Sequence, residues 1–339
     1  MKRIAVIGDG GWGSALALLL NRSGQKVSVW SPFEEAAAAV RAAGRNERFL
    51  PGLPIPPEIQ WTSDRARAVH GADLILWAIP TRYFRTVVQS FLPLLPPDVL
   101  QVSVSKGLEE GTLSRMTEVA EDLTRYGPVV ALSGPTFAEE VARGFPSAAV
   151  AACRDLARAV HVQSILGGES FRVYTTDDVV GVELGGALKN VIALAAGVCD
   201  GIGAGTNARA ALITRGLAEM ARLGLALGAR AETFAGLSGM GDLVLTCTGP
   251  LSRNRRVGER LGRGERLADI LNGMEQVAEG VATAGNARAL AARVGVSMPI
   301  VEEVVAVLEG VKDPRRAVSD LMRRTLRSER DRTREGDSK

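Results

Sequence analysis

Over the first 180 positions the apolar residues fall into short unbroken runs, and beyond them they recur at helical spacing. The runs at 4–7, 26–30, 74–79, 100–104, 129–132 and 148–152 have the length and continuity of strands buried on both faces of a parallel sheet. Helical patterns lie between most of them, which predicts a doubly wound α/β half. A further run at 171–175 reads as an edge strand. From there the pattern predicts helices at 181–199, 206–227, 232–247, 253–262, 266–272, 283–293 and 299–309, separated by Gly, Pro or Asn. The expected organisation is an α/β domain over 1–180, an all-α domain over 181–322, and a charged tail over 323–339 expected to be disordered.

Composition narrows the classes. Hydrophobic residues at 46% and charged residues at 23% are ordinary for a soluble globular chain. A net charge of +3, with basic residues spread among acids, argues against a nucleic-acid partner, and 4% aromatic content argues against a base-stacking surface. Three separated cysteines (Cys153, Cys199, Cys247) and two histidines (His70, His161) leave little material for a zinc site or a disulfide framework, so a reducing, cytoplasmic setting is expected. Lys2, Arg3 and the apolar residues after them look superficially like an export signal. Asp9 and the glycines at 8–13 interrupt that run, and 191–198 is too short to span a bilayer, so neither export nor membrane insertion is expected.

Candidate chemistry begins at the first strand. It runs directly into Gly8, Gly10 and Gly13 of GDGGWG and then into a helical pattern, the order of a dinucleotide-binding turn of Rossmann type. The first glycine makes the turn, the second admits a pyrophosphate and the third packs helix on strand. After the second strand an acid would favour NAD and a base NADP, but Trp30 is followed by Ser31, Pro32 and Phe33, which leaves NAD or NADP open. Pro80-Thr81, Ser105-Lys106-Gly107 and Ser133-Gly134-Pro135-Thr136 follow later strands, at the sheet end where ligands bind. Lys106 is suited to a phosphate or carboxylate there, against the plainer reading of an exposed loop lysine.

In the helical half, Lys189 stands in a small, apolar pattern one turn beyond Gly185 and Gly186. On such a bare patch an ammonium loses solvation and its pKa falls towards the range of a general acid or base, and the glycines would admit a flat ring or small substrate. A snorkelling lysine is the ordinary alternative. SGMGD ends in Asp242, four residues before Thr246, and Ser252, Arg253 and Asn254 stand together where a helix should start. A serine cap, free amides and an arginine make an anion site. Plainly read, Asp242 and Ser252 are helix caps and the arginines are solvated.

Together GDGGWGSALA, NERFLPG, SVSKGLE, LSGPTFAEEVA, GALKNVIALAAGVCDGIGAGTNARAALITRGLAEM, LSGMGDLVLTCTGPLSRNRRVG and EGVATA resemble, in order and spacing, the NAD(P)-dependent glycerol-3-phosphate dehydrogenases of bacterial biosynthetic type. The resemblance covers residues 1 to about 310. It implies a Rossmann-type, mostly parallel sheet followed by an all-α domain, with Lys189 as the acid/base lysine. It further implies substrate contacts from Lys106, Gly134, Thr136, Lys189, Asn190, Asp242, Ser252, Arg253 and Asn254. Cofactor contacts are implied for Gly8, Gly10, Gly11, Trp12, Gly13, Lys106, Ala138, Arg253, Val277 and Glu279. The chain departs from the family pattern at Pro32 and Phe33, where basic residues are common, at Thr206, and at Gly249 and Pro250.

The resemblance implies reduction of dihydroxyacetone phosphate to glycerol 3-phosphate for phospholipid synthesis, in a homodimer. Lys189 would polarise and protonate the ketone oxygen, Asp242 would tune it or bind the substrate hydroxyl, Asn190 and Asn254 would orient, and Arg253 with Lys106 would neutralise the phosphate. Two rivals are a lysine-dependent reductase of hydroxy acids, which has no need of the SRN cluster, and a non-catalytic nicotinamide sensor.

Overall fold

A computed structural model describes residues 1–274 and 277–325. The earlier expectation of a disordered tail therefore lies mostly outside the described residues. Eight strands, β1 (Arg3–Ile7), β2 (Lys26–Trp30), β3 (Gln60–Thr62), β4 (Leu74–Trp77), β5 (Leu100–Ser103), β6 (Val130–Ser133), β7 (Ser147–Ala152) and β8 (Phe171–Thr176), form one sheet in the order 3-2-1-4-5-6-7-8. Every pairing is parallel except β6 with β7.

Alternation along the strands divides the first half into two cores. Ile4 and Val6 of β1 face a cluster shared with Leu16 and Leu20, while Ala5 and Ile7 face one shared with Trp77 and Phe84. Helices α1 (Gly11–Arg22), α2 (Glu34–Ala43), α3 (Arg65–Val69), α4 (Thr81–Phe91), α5 (Met116–Thr124), α6 (Ala138–Arg143) and α7 (Leu156–Leu166) cover the sheet.

The second half is built on α8 (Val179–Gly201). Asp178 starts it, accepting from Gly181 N at 2.9 Å, and its other oxygen accepts from Arg230 N and Thr233 Oγ1. Nearly every position of α8 is buried, which suits its all-round apolar sequence. By length and composition it could cross a membrane, but 94% of its most apolar window is buried inside the protein. The run at 191–198 lies inside this helix, whose bounds fall within two residues of the 181–199 that the sequence pattern predicts. Around it pack α9 (Thr206–Ala226), α10 (Ala231–Ala235), α11 (Asp242–Thr248), α12 (Arg253–Gly262), α13 (Leu267–Asn272), α14 (Glu279–Arg293), α15 (Pro299–Leu308) and α16 (Pro314–Met322).

Three differences from the pattern have local causes. β3 has only three residues and one buried large apolar side chain, Trp61, too little for a periodic signal. α16 is a short helix with its polar and apolar residues mixed, and only Ala317 is buried in it. The expected helix over 232–247 is broken: Gly236 is extended, and Leu237–Gly241 forms one π-helical turn. A Cβ on Gly239 would lie 2.2 Å from the Phe234 carbonyl oxygen, so the turn closes only over a glycine. It delivers Asp242 to the first position of α11.

Candidate active site

At the end of β1 the chain turns at Gly8, whose φ is +122°. A Cβ there would meet the Ala78 carbonyl oxygen at 2.2 Å, and one on Gly13 would meet the Gly8 carbonyl oxygen at 2.1 Å. Gly10 is different, because a Cβ there would meet nothing within 4 Å. Open space therefore lies over Gly10 beside the first amides of α1, donors that a helix leaves unsatisfied at its N-terminus. Gly11 lies under the Phe49 carbonyl and beside the Ala138 methyl, and the buried Trp12 Nε1 has no partner among the described residues. This cradle fits a dinucleotide pyrophosphate. Glu279, the first residue of α14, reaches across to the sheet: Thr81 Oγ1 donates to it at 2.8 Å and Thr81 N at 3.4 Å. Burial raises its pKa, against the pull of Thr81, Arg253 and Arg82. Val277 is half-buried just before it.

A largely buried four-residue polar cluster joins α8 and α11 to the loop after β5. Lys189 is 7% exposed, and its Nζ donates to Asp242 Oδ1 at 2.6 Å and to Thr246 Oγ1 at 2.8 Å. The Thr246 hydroxyl in turn donates to the Asp242 backbone carbonyl at 2.6 Å. Lys106 donates to the other Asp242 oxygen at 2.7 Å and to the Gly134 carbonyl at 2.9 Å. Burial lowers the Lys189 pKa to about 8; Asp242 opposes that shift and the Lys106 charge adds to it. Burial pushes the Asp242 carboxyl up, but the two ammonium groups outweigh it and hold it below the usual range.

Gly134 has φ +146°, and a Cβ there would come within 2.9 Å of Ala149 Cα, so only glycine turns its carbonyl towards Lys106 without strain. Thr136 Oγ1 donates to the same carbonyl at 3.1 Å. Beside Lys189, Asn190 Oδ1 accepts from Asn254 Nδ2 at 2.9 Å, and Asn254 Oδ1 accepts from Gly280 N at 3.0 Å. These bonds fix the starts of α12 and α14 against α8. Ser252 caps α12, accepting from Arg255 N at 3.2 Å, and Arg253 begins the helix exposed and without an ion pair among the described residues. Glycines bring the two helices into backbone contact. A Cβ on Gly197 would lie 2.0 Å from the Arg255 carbonyl oxygen, and one on Gly258 2.0 Å from that of Leu194.

Several sequence expectations change. Lys189 does not stand on a bare patch and does not snorkel: it is buried with two partners. Gly185 and Gly186 admit no ligand. Their faces are filled by the Ser238 carbonyl and by Ser133 Oγ with the Lys106 stem, so their small size serves packing. Asp242 caps nothing and serves both lysines, whereas Ser252 is the cap it resembles. Gly249 leaves room for the Phe137 ring, which a Cβ would meet at 2.5 Å, and Thr206 opens α9 in solvent. Thr246 and Thr81 carried no assigned role in the pattern. The four-residue spacing from Asp242 was the signal for the first, and the strand-end position for the second.

Comparison with known proteins bears on both halves. The model of the NAD-dependent glycerol-3-phosphate dehydrogenase N-terminus matches residues 3–159, and that of the C-terminus matches residues 178–319. An NAD(P)+ glycerol-3-phosphate dehydrogenase of Geobacter sulfurreducens is 53% identical over 97% of this chain and 99% of its own length. The corresponding protein of Koribacter versatilis is 51% identical over 97% and 99%. The crystal structure of glycerol-3-phosphate dehydrogenase from Coxiella burnetii superposes with a TM-score of 0.92 at 39% identity, over 95% of this chain and 99% of that one. A D-mandelate dehydrogenase, 12% identical with a TM-score of 0.62, shares the fold alone.

Proposed function

The chain belongs to the NAD-dependent glycerol-3-phosphate dehydrogenase family, and on that premise we propose how its own residues interconvert dihydroxyacetone phosphate and sn-glycerol 3-phosphate. The observation that carries the reading is Lys189, buried with its pKa near 8 between a carboxylate and a hydroxyl. A bound NAD(H) or NADP(H) supplies or accepts the hydride. Gly8, Gly10, Gly11, Trp12, Gly13 and Ala138 form its cradle, with Lys106, Arg253, Val277 and Glu279 on the facing side.

An ammonium has three N–H donors, and Lys189 commits two of them to Asp242 and Thr246. The third hydrogen-bonds the ketone oxygen, stabilises the negative charge that develops there, and passes the proton across. In the oxidative direction the neutral amine takes that proton back. Lys106 likewise keeps one donor after Asp242 and Gly134, and it joins Arg253, the α12 amides and Ser252 in holding the phosphate. Binding energy at the phosphate thereby fixes the carbonyl carbon for hydride transfer. Asn190 and Asn254 hold Lys189 and Arg253 in register, and Gly134 and Thr136 shape the loop that carries the Lys106 acceptor.

The organisation proposed with this activity is a dinucleotide domain over 1–180 and a helical substrate domain over 181–322. The setting is cytoplasmic, as a homodimer without membrane insertion, supplying glycerol phosphate for phospholipid synthesis. The test is loss of absorbance at 340 nm when purified protein meets dihydroxyacetone phosphate with NADH or NADPH. Lys189→Ala is expected to fold and bind nucleotide but to lose at least about a thousandfold in kcat, as expected for a group that both protonates and stabilises charge. Near-normal turnover in that variant would end the lysine mechanism.

A further inference from the structure

Where a doubly wound fold meets the adenosine ribose, at the end of β2, an acid accepts from the 2′-hydroxyl and thereby favours NAD. Ser31, Pro32 and Phe33 provide no acid there. The structure brings one from another direction. Asp9, between the first two glycines of the turn, extends its carboxylate to this place, and Ser31 Oγ donates to Asp9 Oδ2 at 2.6 Å. Ser31 is fully buried beneath it, so the group presented outward is the carboxylate.

The rest of Asp9 is also held. Its carbonyl accepts from Asn46 Nδ2 at 2.7 Å and Ser14 Oγ at 3.3 Å, and Gly8 N donates to the Trp30 carbonyl at 3.0 Å. Asp9 Oδ1 has no partner among the described residues, and Asp9 is only half-buried. Three arginines that follow the end of β2 are committed elsewhere. Arg41 donates to Glu34 and to the Trp61 carbonyl, Arg45 lies beside Glu47, and Arg48 lies over the Phe49 ring.

We infer that Asp9 is the residue that selects the cofactor: its carboxylate replaces the acid missing from the end of β2, accepts from a ribose hydroxyl, repels a 2′-phosphate, and makes the chain prefer NAD(H) over NADP(H). The inference rests on the cofactor reading above.

Equilibrium titration of NADH and NADPH, followed by nucleotide fluorescence, tests it without turnover. The unaltered chain is expected to bind NADH at least about tenfold more tightly than NADPH, as like-charge exclusion predicts. Asp9→Asn, which keeps an acceptor for Ser31, is expected to close most of that gap, chiefly by tightening NADPH. Ser31→Ala, which frees the carboxylate without removing its charge, loses part of the preference and serves if the Asn variant does not fold. Equal binding of both nucleotides, a preference for NADPH such as Arg45 or Arg48 would give, or a gap unchanged in Asp9→Asn overturns the role of Asp9 and leaves the enzyme reading intact. Binding of neither nucleotide overturns both.

Discussion

Lys189 and Lys106 share one buried carboxylate, each taking a different oxygen of Asp242, at 2.6 and 2.7 Å. One lysine comes from the core helix of the second half and the other from a strand end of the first. Two ammonium groups around one carboxylate leave the cluster with a net positive charge, suited to an anionic substrate, and the Lys106 charge weakens the proton affinity of Lys189.

The pH profile follows from that arrangement. Ketone reduction needs Lys189 as the ammonium, so its kcat/KM should fall as pH rises through about 8, while the oxidative direction should rise over the same interval. The Asp242 charge raises the Lys189 pKa, so Asp242→Asn should shift both limbs towards acid as well as lowering the rate. Profiles in both directions on the two proteins check this, and an unmoved limb would assign the titration to another group.

Lys106 is expected to act on substrate binding more than on proton transfer. Lys106→Met should raise the KM for dihydroxyacetone phosphate by about ten- to a hundredfold, the effect expected of a charge-assisted phosphate contact. Loss of its charge should also raise the Lys189 pKa, which displaces the reductive limb towards alkali. A KM unchanged from that of the parent protein would remove Lys106 from the phosphate site.

Thr81 joins the sheet to the helical half through Glu279, and its methyl packs where a Cβ of Gly107 would lie, next to Lys106. Thr81→Val keeps the shape and removes the 2.8 Å hydrogen bond, leaving a buried carboxylate short of a donor. The expected result is a several-fold rise in the KM for nicotinamide nucleotide with a smaller change in kcat, restored by Thr81→Ser. Failure of serine to rescue would mean that the methyl packing, and not the hydroxyl, is what matters.

Glu219 of α9 provides a test of stability away from the site. Both of its oxygens accept from Ile300 N at the start of α15, and burial raises its pKa to about 7 despite those bonds. A raised carboxyl pKa means that the folded chain binds more protons than the unfolded one between about pH 4.5 and 7. Its contribution to stability is therefore lost as pH rises through that window. Glu219→Gln should lack this slope, so its stability relative to the parent should improve by roughly 2 kcal/mol between the two ends. Denaturant melts of both proteins at about pH 5 and pH 8 measure the difference.

Legibility in the sequence followed the range of the interactions involved. β2 and α12 were readable to the residue because their periodicity is local. β3 was not, because an edge strand of three residues has no period, and the break at Gly236 was hidden by flanking apolar residues that continue a helical rhythm. At the site, the strand-end loops and the lysine helix were visible as positions. That Asp242 joins both lysines was not visible, because an acid at the start of a helix is usually a cap and its partners Lys189 and Lys106 lie 53 and 136 residues away. The filling of the Gly185 and Gly186 faces was equally beyond reach, since a bare helical surface reads the same whether a ligand or a neighbouring turn covers it.

The glycine contacts between α8 and α12 make those two helices a single beam. With the Gly197 and Gly258 faces each occupied by a carbonyl of the opposite helix, neither helix can slide, rotate or separate without breaking backbone contact. With the roles proposed above, the spacing between Lys189 on one and Arg253 on the other is a fixed ruler, set to one length of molecule between reacting oxygen and phosphate. On that reading a longer or shorter phosphorylated ketone is not expected to be accommodated by yielding there. Any broadening of substrate range is then expected to come from residues outside this pair of helices.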